Sequence, residues 1–167
     1  MRVMAVVGAL TAIAVTTVRA QESQVEVHGN YVYGTRSKSN AWGVGGNYQL
    51  TWGGSSAPVK LATSIGPDYT KQEKGGPSQT SLSVDATLEP GGDAAVTPYA
   101  GGSASANWSG GDQKQWSGTK LGREVVAGAS FKLGASSKLS GNVEERYGYV
   151  DGQEHTLTSR LGLALSF

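Results

Sequence analysis

The chain of 167 residues contains no cysteine, which excludes a disulfide framework and thiolate metal sites and leaves stability to hydrogen bonding and packing. It has only 5 prolines, 2 phenylalanines and 2 histidines. A thick apolar core is out of reach, because the aromatics that are present, 7 tyrosines and 4 tryptophans, are amphipathic ones. Basic and acidic residues nearly balance, at 14 against 13, and no Lys/Arg run of the kind that binds nucleic acid occurs. After residue 20 no apolar stretch is long enough for a spanning helix and no 3.6-residue period survives. A phosphate loop, a carboxylate metal box and a dinucleotide fingerprint are all missing, so no cofactor is expected.

What is there begins with an export signal. Arg2 supplies a positive start, residues 3–18 are uncharged and largely apolar, and Val18-Arg19-Ala20 places small residues where a signal peptidase reads. Residues 1–20 are expected to be a signal peptide cleaved after Ala20, leaving residues 21–167 as one domain. Loss of Arg2 and Arg19 takes the basic count from 14 to 12 against 13 acids.

The rest has the period of strands. Val25, Val27, Tyr31 and Tyr33 alternate with Glu26, His28 and Asn30, and Trp42, Val44, Tyr48, Leu50 and Trp52 alternate with Gly43, Gly45, Asn47, Gln49 and Thr51. Similar patterns cover 59–65 and 80–88, then 95–108 more weakly, then 121–133, 138–149 and 156–167, making eight strands. Short turn clusters at 53–56, 90–93 and 134–137 alternate with mostly longer, more charged connections at 35–41, 70–78 and 109–120. A brief one surrounds Asp151-Gly152. Short turns on one rim and longer loops on the other describe an up-and-down meander.

Such a meander closes either as a soluble lipocalin-like barrel, apolar side inward, or as an outer-membrane barrel, apolar side outward. Three features favour the membrane form. Most segments supply the roughly 9 to 11 residues that a tilted spanning strand needs. The aromatics gather at strand ends: Tyr31, Tyr33, Trp42, Tyr69, Trp108, Tyr147 and Tyr149 towards the long loops, and Trp52 and Phe167 towards the short turns, as two interfacial girdles require. The last segment, LGLALSF, finishes on alternating Leu161, Leu163 and Leu165 and then Phe167.

That alternation resembles the C-terminal strand by which the outer-membrane assembly machinery recognises its clients. Thr97-Pro98-Tyr99-Ala100-Gly101-Gly102 resembles the Pro-Tyr-x-Gly strand of many small outer-membrane proteins. The whole plan is similar to the transmembrane domains of outer membrane proteins A and X and of the attachment-invasion adhesins. This resemblance implies an all-β, eight-stranded antiparallel up-and-down transmembrane β-barrel in the bacterial outer membrane. It implies Leu161, Leu163, Leu165 and Phe167 as an assembly signal read by the barrel assembly machinery and periplasmic chaperones. Outer-membrane lipid and lipopolysaccharide would surround a monomer, and a host or surface ligand would meet loops 35–41, 70–78 and 109–120.

With the polar set inward, Glu26, His28, Lys60, Asp68, Asp85, Glu124, Lys132, Glu144, Arg146 and Arg160 fall in the lumen. Eight strands leave an interior only wide enough for side chains to fill. Charges so dense and so nearly matched are expected to pair into a polar core and close the lumen. A two-residue Asp151-Gly152 turn would put Glu144 opposite Ser159, the wrong face. An odd-numbered loop centred on Gly152, such as a three-residue turn, instead sets Glu144 against Arg160, Asn142 against Gly162 and Arg146 against Thr158.

No catalytic residue is assigned. Eight-stranded barrels include lipid A deacylases and palmitoyltransferases, which use Ser and His with an acid. His28 reads as a lumen hydrogen-bonder. His155 stands beside Glu154 with Ser159 four residues on, but the His-x-Ser spacing of the deacylases needs Ser where Leu157 stands. The expected role is structural or adhesin-like, with a lipid A-modifying enzyme and a soluble periplasmic binding barrel as the alternatives.

Overall fold

A computed structural model describes residues 22–54, 56–73, 76–92, 94–110, 119–134 and 138–167. Eight strands follow in order: β1 (Glu22–Gly34), β2 (Asn40–Trp52), β3 (Val59–Gln72), β4 (Ser78–Pro90), β5 (Val96–Gly110), β6 (Lys120–Lys132), β7 (Leu139–Val150) and β8 (His155–Ser166). Each pairs antiparallel with its chain neighbour, and β8 closes onto β1. The chain is therefore an all-β, closed, eight-stranded up-and-down barrel. The proposed leader at residues 1–20 lies outside the described residues.

Alternation decides which side chains face where. Along β1 Val25, Val27 and Tyr31 are exposed on the outer wall while Glu26, His28 and Asn30 are buried. Along β8 Leu157, Leu161, Leu163 and Leu165 are exposed while Thr158, Arg160 and Ala164 are buried. The barrel is thus apolar outside and polar inside, the reverse of a water-soluble protein.

The ladder is staggered. Paired residues lead from Val25 through Tyr48, Ile65, Val84, Ala104, Arg123, Tyr149 and His155 to Thr35, ten residues further along β1 than where the path began. A stagger of this kind obliges the strands to tilt, by about 35 to 45° in closed barrels. The strands run 12 to 15 residues; β1 to β5 are longer than the alternation alone reached, and β6 to β8 match it in length. The long connections shrink accordingly: β2 already begins at Asn40, β3 continues to Gln72, and β5 and β6 reach Gly110 and Lys120. These added residues are polar because they extend the ladder past the apolar belt. Residues 111–118 of the third long loop lie outside the described set.

Pro67 stands inside β3, where it has no N–H to give. The β2–β3 ladder skips Gly46 and Asn47 next to it, while Pro67 still pairs with Leu82 of β4. Each short turn carries a glycine at positive φ, Gly53, Gly92 and Gly134, the region that side chains disfavour.

The β7–β8 register places Glu144 opposite Arg160, Asn142 opposite Gly162 and Arg146 opposite Thr158. The connection is longer than three residues. Tyr149 and His155 are the last pair, and within the five residues between them Gln153 N–H donates to Val150 O at 2.8 Å. Gly152 takes φ +76 in that turn. The count stays odd and centred on Gly152, so both strands keep their charged residues on the inner face.

Candidate functional site: a charged plug between two vestibules

Six strands deliver the inward charges to one level. β1 brings Glu26 and His28, β3 Asp68, β4 Asp85, β7 Glu144 and Arg146, and β8 Arg160, with Glu124 of β6 beside them. Arg146 is the centre of one cluster and is 1% exposed. Its guanidinium donates to Asp85 through Nη1 at 3.0 Å and Nη2 at 2.7 Å, to Glu144 through Nε at 2.5 Å, and to Glu124 through Nη1 at 3.3 Å. A planar fork with five N–H donors suits three converging carboxylates where a lysine would not.

His28 is the centre of the second cluster. Its Nδ1 lies 2.9 Å from Glu26 Oε1 and its Nε2 lies 2.8 Å from Asp68 Oδ1. Asp68 also accepts from Asn30 Nδ2 and from Arg160 Nη2, each at 2.6 Å. Arg160 Nη1 approaches Glu144 Oε1 at 3.6 Å and joins the clusters. Glu144 and Arg160 therefore face each other as the register requires, but each has a closer partner, Arg146 and Asp68 respectively. Double-mutant cycles in vesicle-refolded barrel should accordingly show stronger coupling for Asp68 with Arg160 than for Glu144 with Arg160. Equal couplings, or the reverse order, would refute this geometry.

Two of the residues assigned to the polar core sit elsewhere. Lys60 and Lys132 line the mouth of a vestibule on the short-turn side, of about 430 Å³, near Glu22 and Glu89. They face the lumen side, but their position near the strand ends keeps them in the open mouth, where Lys60 stands opposite Glu89 of β4. The plug itself thus holds five carboxylates, Glu26, Asp68, Asp85, Glu124 and Glu144, with Arg146, Arg160 and His28 as their basic partners. A second vestibule of about 560 Å³ opens on the long-loop side, lined by Arg36, Gln72, Gln79, Gln153 and Glu154 among others.

Several inner residues escaped the sequence reading. Tyr99 points inward from β5, where the weak alternation of small residues hid its face; a β-carbon on Gly128 of β6 would strike its ring at 2.6 Å. The glycine opposite is the signal that could have located it. Val126 is wholly buried in the lumen. Asn107, within the sequon-like Asn107-Trp108-Ser109, is 2% exposed and accepts from Gln79 Nε2 at 2.7 Å. Glu145 is exposed on the outer wall midway along β7, where Ser159 Oγ lies 2.9 Å from its Oε2.

The girdle aromatics Tyr31, Trp42, Tyr69, Trp108 and Tyr147 fall on the outer side by the same alternation. Trp52 and Trp108 turn their indole N–H to Thr63 and Thr119, each at 2.9 Å, which suits a ring with one wet end. At the long-loop rim the His155 ring stacks on Tyr147 at 5.5 Å, and the Arg123 guanidinium lies over Tyr149 at 5.0 Å. His155 thus packs against aromatics and stands apart from the Ser159–Glu145 pair.

Above the rim Glu154 joins two loops. Its Oε2 accepts from the backbone N–H of Arg36 and, at 2.6 Å, of Ser37. Its slight burial pushes the carboxyl up, but the hydrogen bonds from Ser37 and Arg36 and the Arg36 charge hold it below the ordinary glutamate value. An acid with a lowered folded value gives its stabilisation in full above the unfolded value, about 4.3, and loses it as pH falls through the folded one. Amide exchange of Arg36 and Ser37 should therefore be slowed at pH 7 relative to Glu154→Gln, with the difference vanishing near pH 2. An unchanged difference there would refute the clasp.

No family model and no curated protein matches the chain. Its architecture does match solved outer-membrane barrels. Neisserial surface protein A aligns with a TM-score of 0.61 and 17% identity over 87% of this chain and 96% of that one. The outer membrane enzyme PagL gives 0.61 and 16%, covering 84% and 98%. Ail, the attachment invasion locus protein of Yersinia pestis, gives 0.59 and 16%, covering 87% and 98%, and has also been solved with the heparin analogue sucrose octasulfate. At these identities the likeness is one of fold: the chain has the fold of the small eight-stranded outer-membrane barrels.

Proposed function

We propose that the chain is an exported, integral outer-membrane barrel with a structural or surface-interaction role, a lumen closed by charge, and no catalytic activity. The observation that carries this is the inverted polarity: large apolar side chains such as Val44, Val125, Leu161 and Leu163 lie outside while Arg146, Asp68 and Asp85 lie buried inside. Only a lipid surround makes such an exterior favourable. Lipid and lipopolysaccharide are the outer wall's partners, and loops 35–41 and 70–78, together with 109–120, most of which lies outside the described residues, are where a surface ligand would meet a monomer. In separated envelopes the protein should sediment with the outer membrane and shift on gels when heated. Release by osmotic shock would instead mean a soluble periplasmic barrel.

Assembly belongs to the same reading. Phe167 N–H donates to Ser23 O at 3.0 Å and Ser23 Oγ donates to Phe167 O at 3.2 Å, so the apolar edge of β8 is fastened to the start of β1. Leu161, Leu163, Leu165 and Phe167 are proposed as the face that the assembly machinery takes hold of before closure. A lipid A-modifying enzyme is the second reading, prompted by the fold of PagL and the Ser159–Glu145 pair. His155→Ala should leave lipid A acylation unchanged by mass spectrometry; altered acylation would favour the enzyme.

A further inference from the structure

We propose that His28 is the proton-sensitive key of the plug: as an imidazolium it bridges Glu26 and Asp68 and keeps the two vestibules apart, and loss of its proton opens a water-lined path between them.

The chemistry follows from the donor inventory. A neutral imidazole offers one N–H and one lone pair, whereas ionised carboxylates only accept. Both ring nitrogens of His28 lie within 2.9 Å of carboxylate oxygens, Nδ1 on Glu26 and Nε2 on Asp68. Two hydrogen bonds in that arrangement need two N–H groups, hence the charged ring. The local charge points the same way, because five plug carboxylates face only two guanidiniums. His28 is 5% exposed, so its proton is held by these neighbours and not by bulk water.

The groups that meet the ring from each side are few. β1 contributes Glu26, β3 Asp68, and β8 Arg160, which holds the far oxygen of Asp68 at 2.6 Å. β7 contributes Glu144, reached through Arg160 at 3.6 Å. β2 brings no charge; Gly45 lies opposite His28, and a β-carbon there would strike the ring and Asp68. When the proton leaves, one of the two contacts sets a ring lone pair against a carboxylate oxygen; Asp68 keeps Asn30 and Arg160 as donors, whereas Glu26 depends on the ring, and admitting water relieves this costly arrangement. Polar atoms able to hold that water already surround the spot: Asn30 Oδ1, Asn142 Oδ1 and Arg160 Nε are buried and lack a protein partner. The direction is therefore fixed. The plug is locked while the ring is charged and unlocks as pH rises through its titration.

The inference rests on the membrane-barrel reading, but the first test needs only folded protein in detergent. Imidazole nitrogen spectra of the full mature chain at pH 7 should show both His28 nitrogens protonated, with His155 as an internal reference. Glu26→Gln, which removes one of the two carboxylates, should let the ring go neutral at lower pH. Across a planar lipid bilayer the wild-type protein should be closed at pH 6 and should conduct once the spectra report a neutral ring. His28→Gln should conduct without pH dependence. A neutral His28 at pH 7, or a conductance profile unrelated to its titration, overturns the proposal. Should His28→Gln fail to fold, the coincidence of spectral and conductance midpoints in the wild type decides the matter.

Discussion

Arg146→Met should destabilise the barrel by about 3 to 5 kcal/mol at neutral pH, the range for removing one partner of a buried ion pair. The reason is what remains. Asp85, Glu124 and Glu144 all lose the Arg146 guanidinium at once, and Asp85, 6% exposed, is left with the Ser64 hydroxyl in place of a bidentate cation. A buried polar group without its partner costs its full desolvation. Two consequences separate this from simple loss of packing. The penalty should shrink as pH is lowered and the carboxyls take up protons, and it should shrink again when Asp85→Leu is added, because an apolar pair of similar volume often replaces a buried ion pair without loss. Urea unfolding in vesicles, followed by tryptophan fluorescence, reads all three. A single-variant cost under about 1 kcal/mol, or one independent of pH, would remove Arg146 from the centre of the plug.

Much of this geometry was legible because alternation leaves a barrel little freedom. Once the leucines of β8 face one way, Arg160 must face the other, and Glu144 follows from an odd turn at Gly152. What parity cannot supply is distance across the lumen. Asp68 and Arg160 are 92 residues apart and meet only because the ladder is staggered, so the closest partner of Arg160 could not be named from its neighbours on β7. Depth was hidden for the same reason. Lys60 and Lys132 share a face with the plug residues, but lie at strand ends, where inward-facing charge remains in the vestibule mouth. Weak amphipathicity hid the rest: on β5, Ala100, Ala104 and Ala106 outside and Ser103 and Ser105 inside differ too little in polarity to mark Tyr99 as inward. Glu145 faces outward as the immediate neighbour of an inward Glu144, a case in which parity overrides side-chain preference.

Orientation itself has a direct test in two adjacent residues. Ile65 stands midway along β3 between Tyr48 and Val84 of the flanking strands, 48% exposed on the outer wall. Ser64 faces the other way, lines the 430 Å³ vestibule and donates to Asp85 Oδ2 at 3.0 Å. In a bilayer Ile65→Arg puts a guanidinium near the midplane and should cost about 2 to 4 kcal/mol. Ser64→Arg places the same group in a water-accessible cavity beside a carboxylate, where it keeps hydration and gains a counter-charge, so it should cost much less. In a soluble barrel of the same strands Ile65 would pack in a dry core and Ile65→Arg would be costly with no lipid present, so the membrane reading requires that this cost depend on the bilayer. Refolding both variants into vesicles of short-chain and long-chain lipid and comparing their urea midpoints reads that dependence: the Ile65→Arg penalty should grow with bilayer thickness and the Ser64→Arg penalty should not. An Ile65→Arg penalty that does not change with bilayer thickness would take Ile65 off a lipid-facing wall, and the membrane reading of the chain would fall with it.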